Sequence, residues 1–184
     1  MRWQWWVRLT VWFYKWKGAI VTERILTRLF KLEEINGHER CPSYMYRWTL
    51  FQPRRPAWLK GFGVYVHKFV GDDWTRDMHD HPKRFISIGL AGRYIEVTPL
   101  GLVPATDQSG AFERRTLYSA PWIRTFPATH IHRIELLPDR RPCWTLVIVL
   151  KTVREWGFWP KGVWMPWRKY VAPDSQAAND GRLC

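Results

Sequence analysis

The chain has 184 residues and a formal net charge of +13. That length suits one domain and excludes a two-domain dehydrogenase or a (β/α)₈ barrel. Hydrophobic residues make up 46% and charged residues 24%, which is typical of a globular chain and not of a disordered one. The positive charge favours a polyanionic partner such as nucleic acid, anionic lipid or a phosphorylated ligand.

The front of the chain differs in character from its centre. Residues 1–70 carry 13 basic and four acidic side chains, whereas residues 71–150 carry ten basic and nine acidic side chains. Five tryptophans lie among the first basic residues, at Trp3, Trp5, Trp6, Trp12 and Trp16. Interleaved aromatic and cationic side chains suit nucleic-acid stacking, an anionic membrane surface, or burial at an open end of the domain or in a homodimer contact. The sequence does not choose among these partners for residues 1–31.

A helix and a series of short strands follow in chain order. Apolar residues recur at helical spacing over about 19–35, and Asn36-Gly37 is a suitable helix stop. From Tyr44 onward the hydrophobic period changes to two residues, and Gly, Pro and Asp separate the runs. The runs predict strands at about 44–51, 61–70, 81–90, 93–98, 112–118, 122–126, 130–137, 143–151, 154–159 and 163–170. Many short, regularly spaced strands predict an all-β sandwich or barrel behind an N-terminal helix.

The predicted organisation has three parts. A basic Trp-rich segment and helix occupy residues 1–40, a β-barrel occupies 41–171, and a disordered tail occupies 172–184. The three cysteines are widely spaced and form no Cys-x-x-Cys pair, which excludes a disulfide scaffold and favours a reducing compartment. No uncharged apolar stretch of about 20 residues is present, so no transmembrane helix is predicted. We therefore expect a cytoplasmic protein, with peripheral attachment to a membrane left open.

Four of the six histidines form two alternating pairs, His79-Asp80-His81 and His130-Ile131-His132. Residues i and i+2 of a strand face the same side, so each pair can present two imidazoles to one point. A first-row divalent metal takes three or four such ligands at about 2.0–2.2 Å. Two pairs in one β-rich chain therefore predict a metal site, although His-x-His pairs also occur as surface or core histidines.

The residues around these pairs resemble the two motifs of the cupin superfamily. In the first motif Gly71, His79, His81 and Gly92 match, whereas Phe85 stands where the motif has a glutamate. In the second motif Pro127 and His132 match, and Thr129 replaces a glycine. The resemblance covers about residues 65–150. Four stretches are similar to a group of small uncharacterised phage and bacterial cupins: His79-Asp80-His81-Pro82, Gly92-x-Tyr94-x-Glu96, His132-Arg133-Ile134-Glu135 and Trp144-Thr145-Leu146.

The resemblance implies a cupin-like jelly-roll β-barrel with one divalent metal (Fe, Mn, Ni or Zn) inside its mouth. It implies His79, His81 and His132 as the metal ligands. Without the motif's glutamate, this is a three-histidine site with open positions, as some cupin dioxygenases have. Glu96 and His130 are then the candidate catalytic residues, because Glu96 follows the motif on the next strand and His130 has the parity of His132. The resemblance supplies no reaction.

The predicted function is binding of one divalent metal and a small-molecule ligand, with oxidative or isomerising chemistry on a small polar substrate if the protein is an enzyme. A non-catalytic ligand-binding cupin and a nucleic-acid-binding module that uses the basic front segment are the alternatives. Arg93, Arg124 and Arg133 lie near the motifs and are candidates to hold an anionic ligand, unless they are exposed. His67 is a spare candidate, expected in the core or behind a ligand.

Overall fold

The computed structural model describes residues 16–35, 42–73, 77–101, 113–172 and 175. Helix α1 (Trp16–Leu29) opens these ranges and helix α2 (Trp167–Tyr170) lies near their end. Between them are the strands β1 (Lys31–Ile35), β2 (Met45–Phe51), β3 (Gly63–Phe69), β4 (Lys83–Ala91), β5 (Arg93–Pro99), β6 (Glu113–Ser119), β7 (Trp122–Phe126), β8 (Arg133–Glu135), β9 (Cys143–Thr152), β10 (Gly157–Phe158) and β11 (Met165–Pro166). Residues 1–15, the Asn36-Gly37 stop and residues 176–184 of the tail lie outside the described residues.

The strands form two antiparallel sheets that face each other. The larger sheet has the order β1-β2-β3-β9-β4-β7, the smaller has the order β6-β5-β8, and β10 pairs with β11. Alternation along the strands turns one face of each sheet inward. The inner core joins residues of both sheets in one cluster: Met45, Phe69, Tyr94, Ile134, Leu136 and Cys143. The all-β fold with an N-terminal helix predicted from the sequence is confirmed.

Helix α1 covers the outer face of the larger sheet. Leu26 and Phe30 pack against a buried cluster that includes Trp48 and Trp144, whose rings stack with centroids 5.5 Å apart. The indole N–H of the fully buried Trp48 donates to the hydroxyl of Thr27 at 3.1 Å. Helix α1 therefore buries the part of the outer face around Trp48 and Trp144, and the inner face is left for the cavity. No helix within the described ranges combines the length and hydrophobicity of a membrane span.

The predicted helix over 19–35 is wrong at its C-terminal end. Helix α1 ends at Leu29, and the next residues form β1, in which Leu32 pairs with Trp48 and Ile35 with Met45. The free edge of β2 supplies a ladder of backbone hydrogen bonds, which outweighs the weak helical preference of so short a segment. The boundary predicted between residues 40 and 41 falls in the undescribed stretch 36–41 and stays a prediction.

The strands predicted near the C-terminus are also too long. The predicted strand 130–137 shrinks to Arg133–Glu135, and 154–159 shrinks to Gly157–Phe158. The predicted strand 163–170 is a two-residue strand followed by α2. Strand β8 pairs with only three residues of β5, and among the strands β10 and β11 pair only with each other.

Candidate metal centre

Two chain segments pair at one end of the sandwich and bring three histidines together. The backbone N–H of His79 donates to the His132 carbonyl at 2.8 Å, and the N–H of His132 donates to the His79 carbonyl at 3.0 Å. The N–H of His81 donates to the Ala128 carbonyl at 3.0 Å. This antiparallel pairing fixes the register of the two His-x-His segments, so residues 53 positions apart along the chain, His79 and His132, lie side by side.

Asp80 points away from its two neighbouring histidines and holds the C-terminal part of the domain. The side chain is fully buried. Its carboxylate accepts four hydrogen bonds, from the Gly157 N–H at 2.8 Å, an Arg154 guanidinium N–H at 2.7 Å and the indole N–H groups of Trp159 and Trp164 at 3.3 and 3.0 Å. His79 also pairs with Phe158 through an isolated bridge. The segment 79–81 is therefore fixed on both sides.

The ring nitrogens of His79, His81 and His132 converge on one point. All three lie within 4.8 Å of one another, and the Nε2 atoms of His81 and His132 are 2.9 Å apart. Two nitrogens about 2.05 Å from a metal and at right angles around it lie about 2.9 Å apart. The motif's missing glutamate is replaced by Phe85, whose ring centroid lies 4.7 Å from that of His81 and supplies no ligand atom. The donor set is thus three imidazoles.

Burial keeps these imidazoles neutral. It lowers the pKa of His79 and of His132 to about 4, although Asp80 and Glu96 respectively act in the opposite direction. Burial also lowers the pKa of His81 well below its usual value, and the neighbouring histidines lower it further. A neutral imidazole keeps a free lone pair, which is the form that binds a metal. Donor number, donor type and spacing all fit a divalent ion at this point.

Glu96 lies behind His132, on the side away from the other two imidazoles. The side chain is 2% exposed, and its Oε1 accepts from His132 Nδ1 at 2.8 Å and from His130 Nε2 at 3.0 Å. Arg124 donates to Oε2 at 2.5 Å. Burial alone raises the pKa of Glu96, but the hydrogen bonds from His130, His132 and Arg124 outweigh it and hold that pKa well below its usual value. The carboxylate therefore keeps the proton on His132 Nδ1 and leaves Nε2 free for a metal.

The structure brings together the three predicted ligands, and it places the two predicted catalytic residues, Glu96 and His130, behind His132, with which they form a second group of potential metal ligands. Glu96 and His130 do not line the cavity in front of the histidines. Their catalytic role stays a prediction, and the geometry favours an indirect role through His132. His67 lies in the cavity wall on β3 and accepts a hydrogen bond from Arg47 Nε at 3.3 Å.

The three predicted anion-binding arginines are all engaged with carboxylates. Arg93 forms an ion pair with Asp139, Arg124 with Glu96 and Arg133 with Glu113. Arg47, which no sequence motif singled out, does line the cavity. The signal was present, because the period of two along β2 places Arg47 on the same face as the buried Met45.

A cavity of about 370 Å³ opens in front of the histidines, between the two sheets. Its apolar wall is largely aromatic and includes Phe85, Phe126, Trp156 and Phe158. Asp73 also lines it, 3.7 Å from His79 Nδ1, and accepts the Ile134 N–H at 2.7 Å. Burial raises the pKa of Asp73 to about 6, although the nearby His132 acts to lower it. A cavity of this size and lining suits a small organic ligand.

The metal-free protein should lose stability as the pH falls from about 6.5 to about 4. In this range the unfolded chain protonates histidines, whose usual pKa is 6.5, while His79 and His132 in the folded chain hold values near 4. Folding then releases protons, so acid favours unfolding. Asp73 acts in the opposite sense because its folded pKa, about 6, is raised from 3.8. The histidines outnumber it, since the pKa values of His67 and His81 are lowered too.

Urea unfolding in the presence of a chelator at pH 7.5, 6.0 and 5.0 measures this dependence. The His67→Gln variant, which removes one of the depressed groups, should show a shallower decline. Equal or greater stability at pH 5.0 would contradict the buried, neutral histidines.

No protein-family model and no curated protein sequence matches the chain. Among solved structures it is similar to the iron(II) form of HppE, with 10% identity, a TM-score of 0.49, and coverage of 67% of this chain and 57% of that one. It is also similar to the DMSP lyase DddQ of Ruegeria pomeroyi, with 17% identity, a TM-score of 0.45, and coverage of 72% and 60%. It is similar as well to the oxalate decarboxylase of Lactobacillus farciminis, with 13% identity, a TM-score of 0.49, and coverage of 84% of this chain and 38% of that one.

The chain therefore spans less than two thirds of the length of these three proteins. At this level of identity the likeness concerns the fold alone. The chain's own features carry the assignment: two facing antiparallel sheets, and two paired histidine segments at one end of them. These features define an antiparallel β-sandwich with a histidine cluster, the arrangement that the sequence motifs implied.

Proposed function

We propose that this protein binds one divalent metal ion, Fe, Mn, Ni or Zn, through His79, His81 and His132 and presents it to a small molecule in the cavity. The observation that carries the proposal is the convergence of three neutral imidazoles at the cavity wall, that of His132 buried and those of His79 and His81 half-buried. Three protein ligands leave coordination positions open for a ligand or water. When bound, the ion supplies a Lewis acid or a site for oxygen chemistry.

The residues around the centre have separate parts in this function. Glu96 holds the Nδ1 proton of His132 and so orients that ring. Aromatic side chains give the cavity a largely apolar wall, and a surrounding of low polarity strengthens electrostatic contacts with a bound molecule. Oxidation or isomerisation of a small polar substrate suits such a centre. The partners predicted for residues 1–31, nucleic acid, an anionic membrane or a second copy, stay predictions.

Metal analysis of the purified protein tests the proposal. We expect close to one ion per chain, and His79→Ala and His132→Ala should each lose most of it, because two remaining imidazoles hold a divalent ion weakly. The matched control is His67→Gln, which alters a histidine of the same cavity outside the cluster and should keep its metal. Full occupancy in both alanine variants would refute the assignment.

A non-catalytic cupin is the second candidate, and a metal without an open coordination position would favour it over an enzyme. We expect the cobalt(II)-substituted protein to show the weak visible absorption of a five- or six-coordinate ion and to change its spectrum when azide is added. Both results follow from open positions facing the cavity. An intense tetrahedral spectrum that azide leaves unchanged would show a closed site and favour a structural ion.

A further inference from the structure

Two cations of the cavity wall lack a carboxylate partner at hydrogen-bonding distance within the described part of the chain. Arg47 and Lys83 both line the cavity. The closest carboxylate to Arg47 is that of Glu33, at 3.9 Å, and Glu33 is itself bound to Lys31 at 2.7 Å. Lys83 donates to the Gly61 carbonyl at 2.7 Å, a neutral partner. Asp73 is the carboxylate in the cavity lining, and its contacts are with His79 and the Ile134 N–H, so neither cation has a hydrogen-bonded carboxylate.

A buried hydroxyl faces the same cavity without a partner. In the register of the sheet Arg47 pairs with His67, and His67 pairs with Thr145, so the three side chains form one row across β2, β3 and β9. Thr145 is 1% exposed and lines the cavity, and its Oγ1 makes no hydrogen bond with any described residue. A buried hydroxyl without a partner is costly, so a bound polar molecule is its natural complement.

The shape of the wall adds to this arrangement. The guanidinium of Arg47 lies over the Tyr65 ring, with 5.4 Å between its central carbon and the ring centroid. Tyr65 has room on its own strand because residue 63 is glycine, and a Cβ there would lie 2.4 Å from the Tyr65 hydroxyl. Packing on the ring limits the orientations of the guanidinium. Burial lowers the pKa of Lys83, and the charge of Arg47 lowers it further, as expected for two cations that face one space.

We propose that Arg47 and Thr145 bind the anionic group of a small organic acid, a carboxylate, whose apolar body lies against the aromatic wall, while Lys83 adds positive charge further along the cavity. A planar guanidinium matches a carboxylate with two parallel hydrogen bonds, and the hydroxyl adds a donor. The three histidines open onto the same cavity, so the acid is held beside the proposed metal. As a substrate class the proposal rests on the proposed metal function, but the anion site itself does not require the metal.

Calorimetric titration with benzoate and with benzamide, its uncharged near-isostere, tests the site. Both the metal-loaded protein and the protein treated with a chelator should bind benzoate at least tenfold more tightly than benzamide. Arg47→Gln should weaken benzoate binding at least tenfold and leave benzamide binding unchanged. The matched control is Arg84→Gln, since Arg84 is an exposed arginine next to Lys83 that does not line the cavity.

Thr145→Val supplies a second, independent test. It replaces the unpartnered hydroxyl by a methyl group of the same shape, so the free protein should melt at a higher temperature while benzoate binds severalfold more weakly. Equal affinities for benzoate and benzamide, or benzoate affinity unchanged in Arg47→Gln, would overturn the proposal. Benzoate binding that requires metal and ignores Arg47→Gln would place the anion on the ion and overturn this site, while supporting the metal centre. Stronger competition by inorganic phosphate than by benzoate would overturn the choice of a carboxylate.

Discussion

Asp80→Ala should lower the free energy of unfolding by about 3–5 kcal/mol, the cost of removing one partner from a buried charged network. The carboxylate is fully buried and is the acceptor for Arg154, Gly157 and the indoles of Trp159 and Trp164. Alanine leaves all four donors without this acceptor. The C-terminal segment that contains β10, β11 and α2 would then lose its main polar contact with segment 79–81.

Urea unfolding and limited trypsin digestion measure the two parts of this expectation. Trypsin should cleave at Arg154, Lys161 or Arg168 in Asp80→Ala under conditions that leave the native chain intact. The control is Asp139→Ala, which removes an exposed carboxylate that pairs with Arg93 at 3.0 Å and should leave both measurements close to those of the native protein. Native stability and protection in Asp80→Ala would show that the Phe158 and Tyr170 packing holds the C-terminal segment alone.

Glu96→Gln should lower metal affinity by about tenfold to a hundredfold, the range found when the carboxylate behind a ligating histidine is removed. Glutamine has the same shape but no charge, and its single amide oxygen cannot serve both His132 and Arg124 as the carboxylate does. The Nδ1 proton of His132 is then no longer held, and its Nε2 is less often the free nitrogen.

Competition with a fluorescent zinc chelator measures the affinity of Glu96→Gln. The control is Glu135→Gln on β8, because Glu135 pairs with Arg133 at 3.0 Å and makes no contact with the histidine cluster. Unchanged affinity in Glu96→Gln would contradict the positioning role. Unchanged affinity together with lost turnover of a substrate would favour the direct catalytic role predicted from the sequence.

The periodicity of the sequence predicted most strands, but it did not predict where pairing with another strand would end a helix. The switch to a period of two predicted the main strands well, because alternation reflects burial of one face. The helix end was wrong, since Lys31–Ile35 became a strand only through the free edge of β2. No local signal shows such an edge, because the pairing residues lie about 15 positions further along the chain.

Some residues of the candidate site were also predictable from the sequence, and others were not. The sequence pointed to His79, His81 and His132 through the resemblance of their motifs, since residue type and strand parity alone fit His130 as well. Only the tertiary structure decided what surrounds the site: Glu96 behind His132, the contacts of Asp80 with the C-terminal segment, and Arg47 in the cavity wall. The physical reason is that strand parity is a local property of the backbone. The partner of a side chain depends on which distant strands the register brings opposite it, and that pairing exists only in the folded chain.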